Sequence, residues 1–389
     1  MPIRGMAIYS GALVLLAGVV GWTSGWLAER SPEVSAPVVL SHPPRHSQQR
    51  CAECHQEVVE AFRDAPHSGT LTRATAQEVR ACFDGKTFMN PDNDSVLSYH
   101  VDSDRIAVSS SGYPGRPGFE WIFGSGTHAR TPLLTFHTAN GRTISAEHLV
   151  SWYPGDQLGI TLGMENGTSG RGIHGLGGLK STAETINCFG CHATFVPVQD
   201  DRILLDQIIP NVGCRRCHGD ADQHVDDMDR GLSSGIERYS EMTPEESVDR
   251  CGECHRRATE MGSPLSPEDG LLVRFASVGL VQSPCFQQQR EVKNPDGTFQ
   301  RFDCISCHDP HRQASRDWKH HAAACLRCHD QANGRSVDCP VADRRDNCLE
   351  CHMPQVPSND YLSFTDHWIR VRSSAAPKGA RPANEQRNE

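Results

Sequence analysis

With 389 residues and a formal net charge of −10, the chain is long enough for two ordinary domains and too acidic to offer a nucleic-acid surface. Its apolar content, 37% hydrophobic and 6% aromatic, is low for a chain that must build a large side-chain core. Seventeen cysteines and twenty histidines are the departure from ordinary composition.

In chain order, Arg4 precedes an apolar stretch from Ala7 to Leu27, with Trp22 and Trp26 near its end. About 20 apolar residues suit one membrane span, and interfacial aromatics collect at such ends. Residues 1–30 are therefore read as an N-terminal membrane anchor, with a cleaved secretory signal as the alternative. Either would place the body on the periplasmic side of the cytoplasmic membrane, or export it. Residues 31–49 hold Pro32, Pro37, Pro43 and Pro44 and read as an extended linker.

The first Cys-x-x-Cys-His motif comes next, at Cys51, Cys54 and His55. Six more stand at Cys188-Cys191-His192, Cys214-Cys217-His218, Cys251-Cys254-His255, Cys304-Cys307-His308, Cys325-Cys328-His329 and Cys348-Cys351-His352. Random placement would give roughly 0.04 such pentapeptides. The spacing has a chemical reason. Two thiols on one turn reach the two vinyl groups of a porphyrin, and the next residue offers its imidazole to the iron. Zinc ribbons and thioredoxin-like pairs do not need the histidine, which is present every time. The cofactor expected is haem c, seven copies, covalently attached. The fourteen cysteines bind it and the seven histidines are proximal iron ligands. Seven macrocycles would supply much of the interior, so the apoprotein is expected to be largely unfolded.

Residues 50–80 form the first haem segment, with a short amphipathic helix over Gln56 to Phe62. Residues 81–180 carry no motif and read as a β-rich insertion. Strand-like runs cover Val96 to Val101, Ile106 to Val108, Trp121 to Phe123 and Leu133 to Phe136, and Asn140-Gly141 is a hairpin signal. Residues 163–178 are a glycine-rich loop. Six motifs crowd residues 181–371, the six-haem domain, which leaves room for short helices and loops. Residues 372–389 read as a disordered tail. The fold class expected is mainly α with long loops, a multihaem cytochrome c fold organised around stacked haems, with the small β-rich insertion.

Several stretches resemble the multihaem c-type cytochromes of the cytochrome c-554-like family. Cys51-Ala52-Glu53-Cys54-His55 with Ala65-Pro66-His67, Cys214 to Gly219 with His224, and Cys304 to His308 with Asp309-Pro310-His311 carry the likeness. Asn347 to Pro354 and Phe364 to Trp368 look like the closing elements of larger members. The resemblance spans residues 50–80 and 185–370, is thin between them, and departs from the tetrahaem pattern by three extra motifs. It implies distal iron ligands at His67, His224, His311 and His367. One of His320 and His321 is a fifth, and His100, His128, His137, His148 and His174 are the pool for the rest. By the same resemblance Cys285 and Cys339 are a candidate disulfide, with free thiols as the alternative.

The function expected is electron transfer between a membrane or quinol donor and a periplasmic partner. Expected partners are redox proteins, the membrane through the N-terminal segment, and the quinol pool or a larger respiratory complex. The alternative is an oxidoreductase acting on nitrite, hydroxylamine or a sulfur oxyanion at one five-coordinate haem, with His128, Arg130, His137 or His174 around the pocket. No residue is expected to be catalytic in the acid–base sense.

Overall fold

The computed structural model describes residues 40, 42–165, 175–219, 221–262, 264–329 and 347–372. Two antiparallel sheets dominate the first half. One has four strands, in spatial order Thr87–Met89, Val96–Val101, Ile106–Ser110 and Gly118–Phe119. The other has five: Leu71–Arg73, Trp121–Phe123, Thr131–His137, Thr143–His148 and Gly177–Lys180. The hairpin between Thr131–His137 and Thr143–His148 turns at Asn140-Gly141. Gly141 takes φ +83°, the left-handed region that a glycine enters without steric cost.

Strand alternation explains the packing. In Val96–Val101, Leu97, Tyr99 and Val101 are buried, while Val96 and His100 face solvent. These residues join Val79, Phe83, Ile106, Val108, Phe119, Ile122, Leu149, Val150 and Leu176 in one apolar core. A second core joins Leu71, Trp121 and Leu133 to Phe189, Ala193, Val196 and Ile203. Phe189 lies inside the second motif, so this core ties the sheets to the motif-dense half. Trp121 and Phe123 each meet the Phe189 ring edge-on at 5.2 Å.

The second half is different in kind. Its helices are short, and its one apolar cluster among the described residues holds only Val248, Leu280 and Phe286. Among the described residues the content is 32% helix and 22% strand, so the fold is mixed rather than mainly α. The expectation overweighted the motifs. Each motif needs only about one helical turn, whereas the insertion commits its chain to extended sheet.

The expected membrane anchor is also corrected. No helix among the described residues is long and apolar enough to cross a membrane. The longest, Pro244–His255, has 12 residues and so spans about 18 Å, against about 30 Å of hydrocarbon. The stretch 1–30 itself lies outside the described residues, as do the tail beyond Arg372, most of the glycine-rich loop, His174 and Cys339. Placement at a membrane therefore has no structural support.

His148 sits fully buried in the larger core. Its Nδ1 donates to the Leu176 carbonyl at 2.6 Å, so its Nε2 accepts from the Tyr99 hydroxyl at 2.9 Å. With both ring nitrogens occupied it is no iron ligand. Burial pushes its pKa down from 6.5 to about 4. Between these values the unfolded chain binds a proton that the folded chain refuses. The His148 contribution to stability is thus complete above pH 6.5 and falls by up to about 3 kcal/mol as pH drops to 4. Equilibrium unfolding across this window should show that loss, and His148→Gln should remove it.

Candidate haem-attachment sites

The motifs share a local geometry that their spacing dictates. Cys214–His218 and Cys348–His352 are single helical turns, and the helices Thr182–His192 and Pro244–His255 end on their motifs. Positions i, i+3 and i+4 fall on one helix face, so both sulfurs and the imidazole point the same way. In the first, fifth and sixth motifs the histidine N–H closes this turn on the first cysteine's carbonyl, at 2.9, 3.0 and 2.9 Å. Capping boxes at Ser181 and Thr243 start the two long motif helices.

In space the motifs form one connected series. The thiols of Cys51 and Cys214 share a hydrogen bond, and so do Cys251 and Cys304, which join first to third and fourth to fifth. The third and fourth meet through Arg216 and Glu253, 3.6 Å apart. Fifth and sixth are bridged by Arg327 Nη2 donating to the Ser306 carbonyl at 2.9 Å. Cys325 lies against Cys348 of the seventh. The second motif branches off at the fourth, through Cys191 and Cys254. Of the motif cysteines, Cys54 and Cys351 are exposed, and they belong to the two ends of the series.

The histidines pair across the chain rather than along it. His67 lies 6.2 Å, centroid to centroid, from His255. His311 stacks on His218 at 6.0 Å with the rings 8° apart, and His367 faces His308 at 6.3 Å. Two imidazoles on opposite sides of one metal, each bonded at about 2 Å, bring ring centres to about 6 Å. The Cys51 thiol's pKa is held down chiefly by the Cys214 thiol, then by Arg215, and least by His224. His67, His311 and His367 thus each neighbour a motif other than the one they follow in sequence.

Nitrogen usage fits ligation. His192, His218, His352, His224 and His367 each donate Nδ1–H to a backbone carbonyl, of Thr70, Glu237, Arg370, Ser234 and Thr365 in turn. A carbonyl can only accept, so Nε2 keeps its lone pair for a metal. His311 donates its Nδ1 to Asp309 in the same way. His321 lies 5.3 Å from His308, but its Nε2 is engaged by the Ser315 carbonyl at 2.8 Å. The His320 ring packs edge-on against His321. His367 is therefore the better partner for His308.

The surroundings also suit an anionic macrocycle. Among the described residues, Arg250, Arg301 and Arg372 each bury an Nε–H that has no hydrogen-bond partner, and all three lie in the motif-dense half. Such donors match carboxylates of the propionate kind. A cavity of about 440 Å³ opens beside Cys328, walled by Phe299 and Phe302 and reached by Arg301 and Arg327. That volume lies within the range of a cofactor pocket, about 300–1,000 Å³.

Of the described residues named for a pocket in the insertion, Arg130 and His137 do not meet. Arg130 donates to Cys82 Sγ and the Glu78 carbonyl. His137 ends its strand beside Thr143, seven residues and so about 23 Å from Arg130. His128 packs on Phe364, and His100 lies between Asp84 and Asp102.

The family model described as cytochrome c554 and c-prime matches residues 164–219, which include the second and third motifs. No curated protein sequence matches the chain. The outer cell wall cytochrome OcwA aligns at 12% identity and TM-score 0.49, over 83% of this chain and 79% of its own. An undecahaem cytochrome from the S-layer of Carboxydothermus ferrireducens aligns at 14% identity and TM-score 0.39, over 93% of this chain and 56% of its own. Both alignments are too loose to assign a fold or a function. Over residues 164–219, which hold two of the seven motifs, the chain is similar to the c-type cytochromes of that family.

Proposed function

We propose that the chain binds seven haems c and relays electrons along them between redox partner proteins. What carries the reading is the unbroken spatial series of motifs. Closely spaced macrocycles let electrons move between irons with no substrate chemistry at any of them. The fourteen motif cysteines hold the cofactors, and His55, His192, His218, His255, His308, His329 and His352 are the proximal ligands. Distal ligands are His67 for the iron of His255, His311 for that of His218, His367 for that of His308, and His224 for that of His55. The exposed first and seventh motifs are where partners exchange electrons with the series.

Two measurements test this. Intact mass should rise by seven haems, and any smaller number would refute the count. The paramagnetic resonance spectrum of the oxidised protein should be dominated by low-spin signals from irons with two axial imidazoles. A high-spin signal that shifts on adding nitrite or hydroxylamine would replace the relay with an oxidoreductase at that haem.

A further inference from the structure

The variable positions inside three of the motifs contact one another. Arg216 stands between Cys214 and Cys217, Glu253 between Cys251 and Cys254, and Gly190 between Cys188 and Cys191. Arg216 Nη1 lies 3.6 Å from Glu253 Oε2, with the two side chains 5% and 6% exposed. Arg216 Nη2 donates to the Gly190 carbonyl at 3.3 Å. The Glu253 carbonyl in turn lies 3.9 Å from Cys191 Sγ. One arginine of the third motif therefore touches the second and the fourth, at the point where the series branches.

Further charges anchor the pair. Arg250 donates to Glu253 Oε1 at 2.8 Å, and Arg257 approaches the same oxygen at 3.4 Å. Arg250 also reaches the Glu237 carboxylate at 3.0 Å. The Glu237 carbonyl is the acceptor for His218 Nδ1 at 2.8 Å. The network thus runs from the fourth motif's carboxylate to the orientation of the third motif's imidazole.

We infer that Arg216 and Glu253 are positioning residues that clamp the second, third and fourth attachment sites together and bias, in opposite directions, the redox potentials there. The inference rests on reading the motifs as haem sites. Its electrostatics are simple. Reduction adds one electron to an iron, so a nearby buried anion disfavours it and a buried cation favours it. Water screens neither charge strongly at this burial.

The test is spectropotentiometric titration of the holoprotein and its variants, with haem content and Tm measured beside it. Glu253→Gln should move a subset of the midpoint potentials upward. Arg216→Gln should move an overlapping subset downward, and Arg216→Lys should restore it toward the parent. A role confined to packing would lower Tm in both Gln variants without opposed shifts. Unchanged potentials at full haem content would therefore overturn the inference while leaving the haem sites standing. If Arg216→Gln does not mature, Glu253→Gln and Glu253→Asp decide the question, the aspartate being expected to stay near the parent. A parent protein with no Soret band would instead sink the haem reading itself.

Discussion

Replacing His67 by alanine should turn one iron, the one held by His255, from low-spin to high-spin and leave the others unchanged. The geometry makes the identity of that iron testable. His67 follows the first motif by twelve residues, yet its ring stands 6.2 Å from that of the fourth motif's histidine. His255→Ala should also give one high-spin haem, since Cys251 and Cys254 keep the macrocycle attached and one axial ligand is lost. The double variant then discriminates. If both imidazoles serve one iron, it too shows a single high-spin centre. If His67 serves the haem of its own motif, it shows two. Spin quantification by paramagnetic resonance distinguishes one from two directly.

Serine at all fourteen motif cysteines should leave a chain that is folded in one half and unfolded in the other. Residues 71–208 build two side-chain cores with Phe83, Phe119, Trp121, Ile122, Leu149 and Phe189 essentially inaccessible to water. Burying a large apolar side chain contributes about 1.5–3 kcal/mol, so these cores do not depend on cofactor area. Residues 239–372 have, among those described, only the cluster of Val248, Leu280 and Phe286. Limited proteolysis with mass mapping should return a resistant fragment within 71–208 and rapid cleavage beyond 239. Loss of the sheets as well would show that the haems hold the whole chain together. The expectation of a largely unfolded apoprotein is thus confined to the second half. Low average apolar content concealed how unevenly it is distributed.

The insertion was readable in detail because strand alternation is a local signal. Val96 to Val101, Ile106 to Val108, Trp121 to Phe123 and Leu133 to Phe136 all lie in strands, and the helix spans Gln56–Phe62. His148 was not readable as a core residue. Only the approach of Tyr99 from another strand and of the Leu176 carbonyl shows that its nitrogens are occupied. Arg216 and Glu253 gave one faint signal, a charged residue of opposite sign in each of two motifs. Nothing in the sequence said that those motifs touch.

The chain's order of residues determined where two sulfurs and an imidazole are grouped, because five consecutive residues on one helical turn suffice to bring them together. It also determined that the insertion is sheet, because side-chain alternation is written residue by residue. Tertiary structure alone decided which histidine faces which, as with His67 and His255 or His311 and His218. It also decided the order of the series and its branch at Arg216 and Glu253. Those contacts join residues distant along the chain, and a lone histidine carries no local mark of the ring it will oppose.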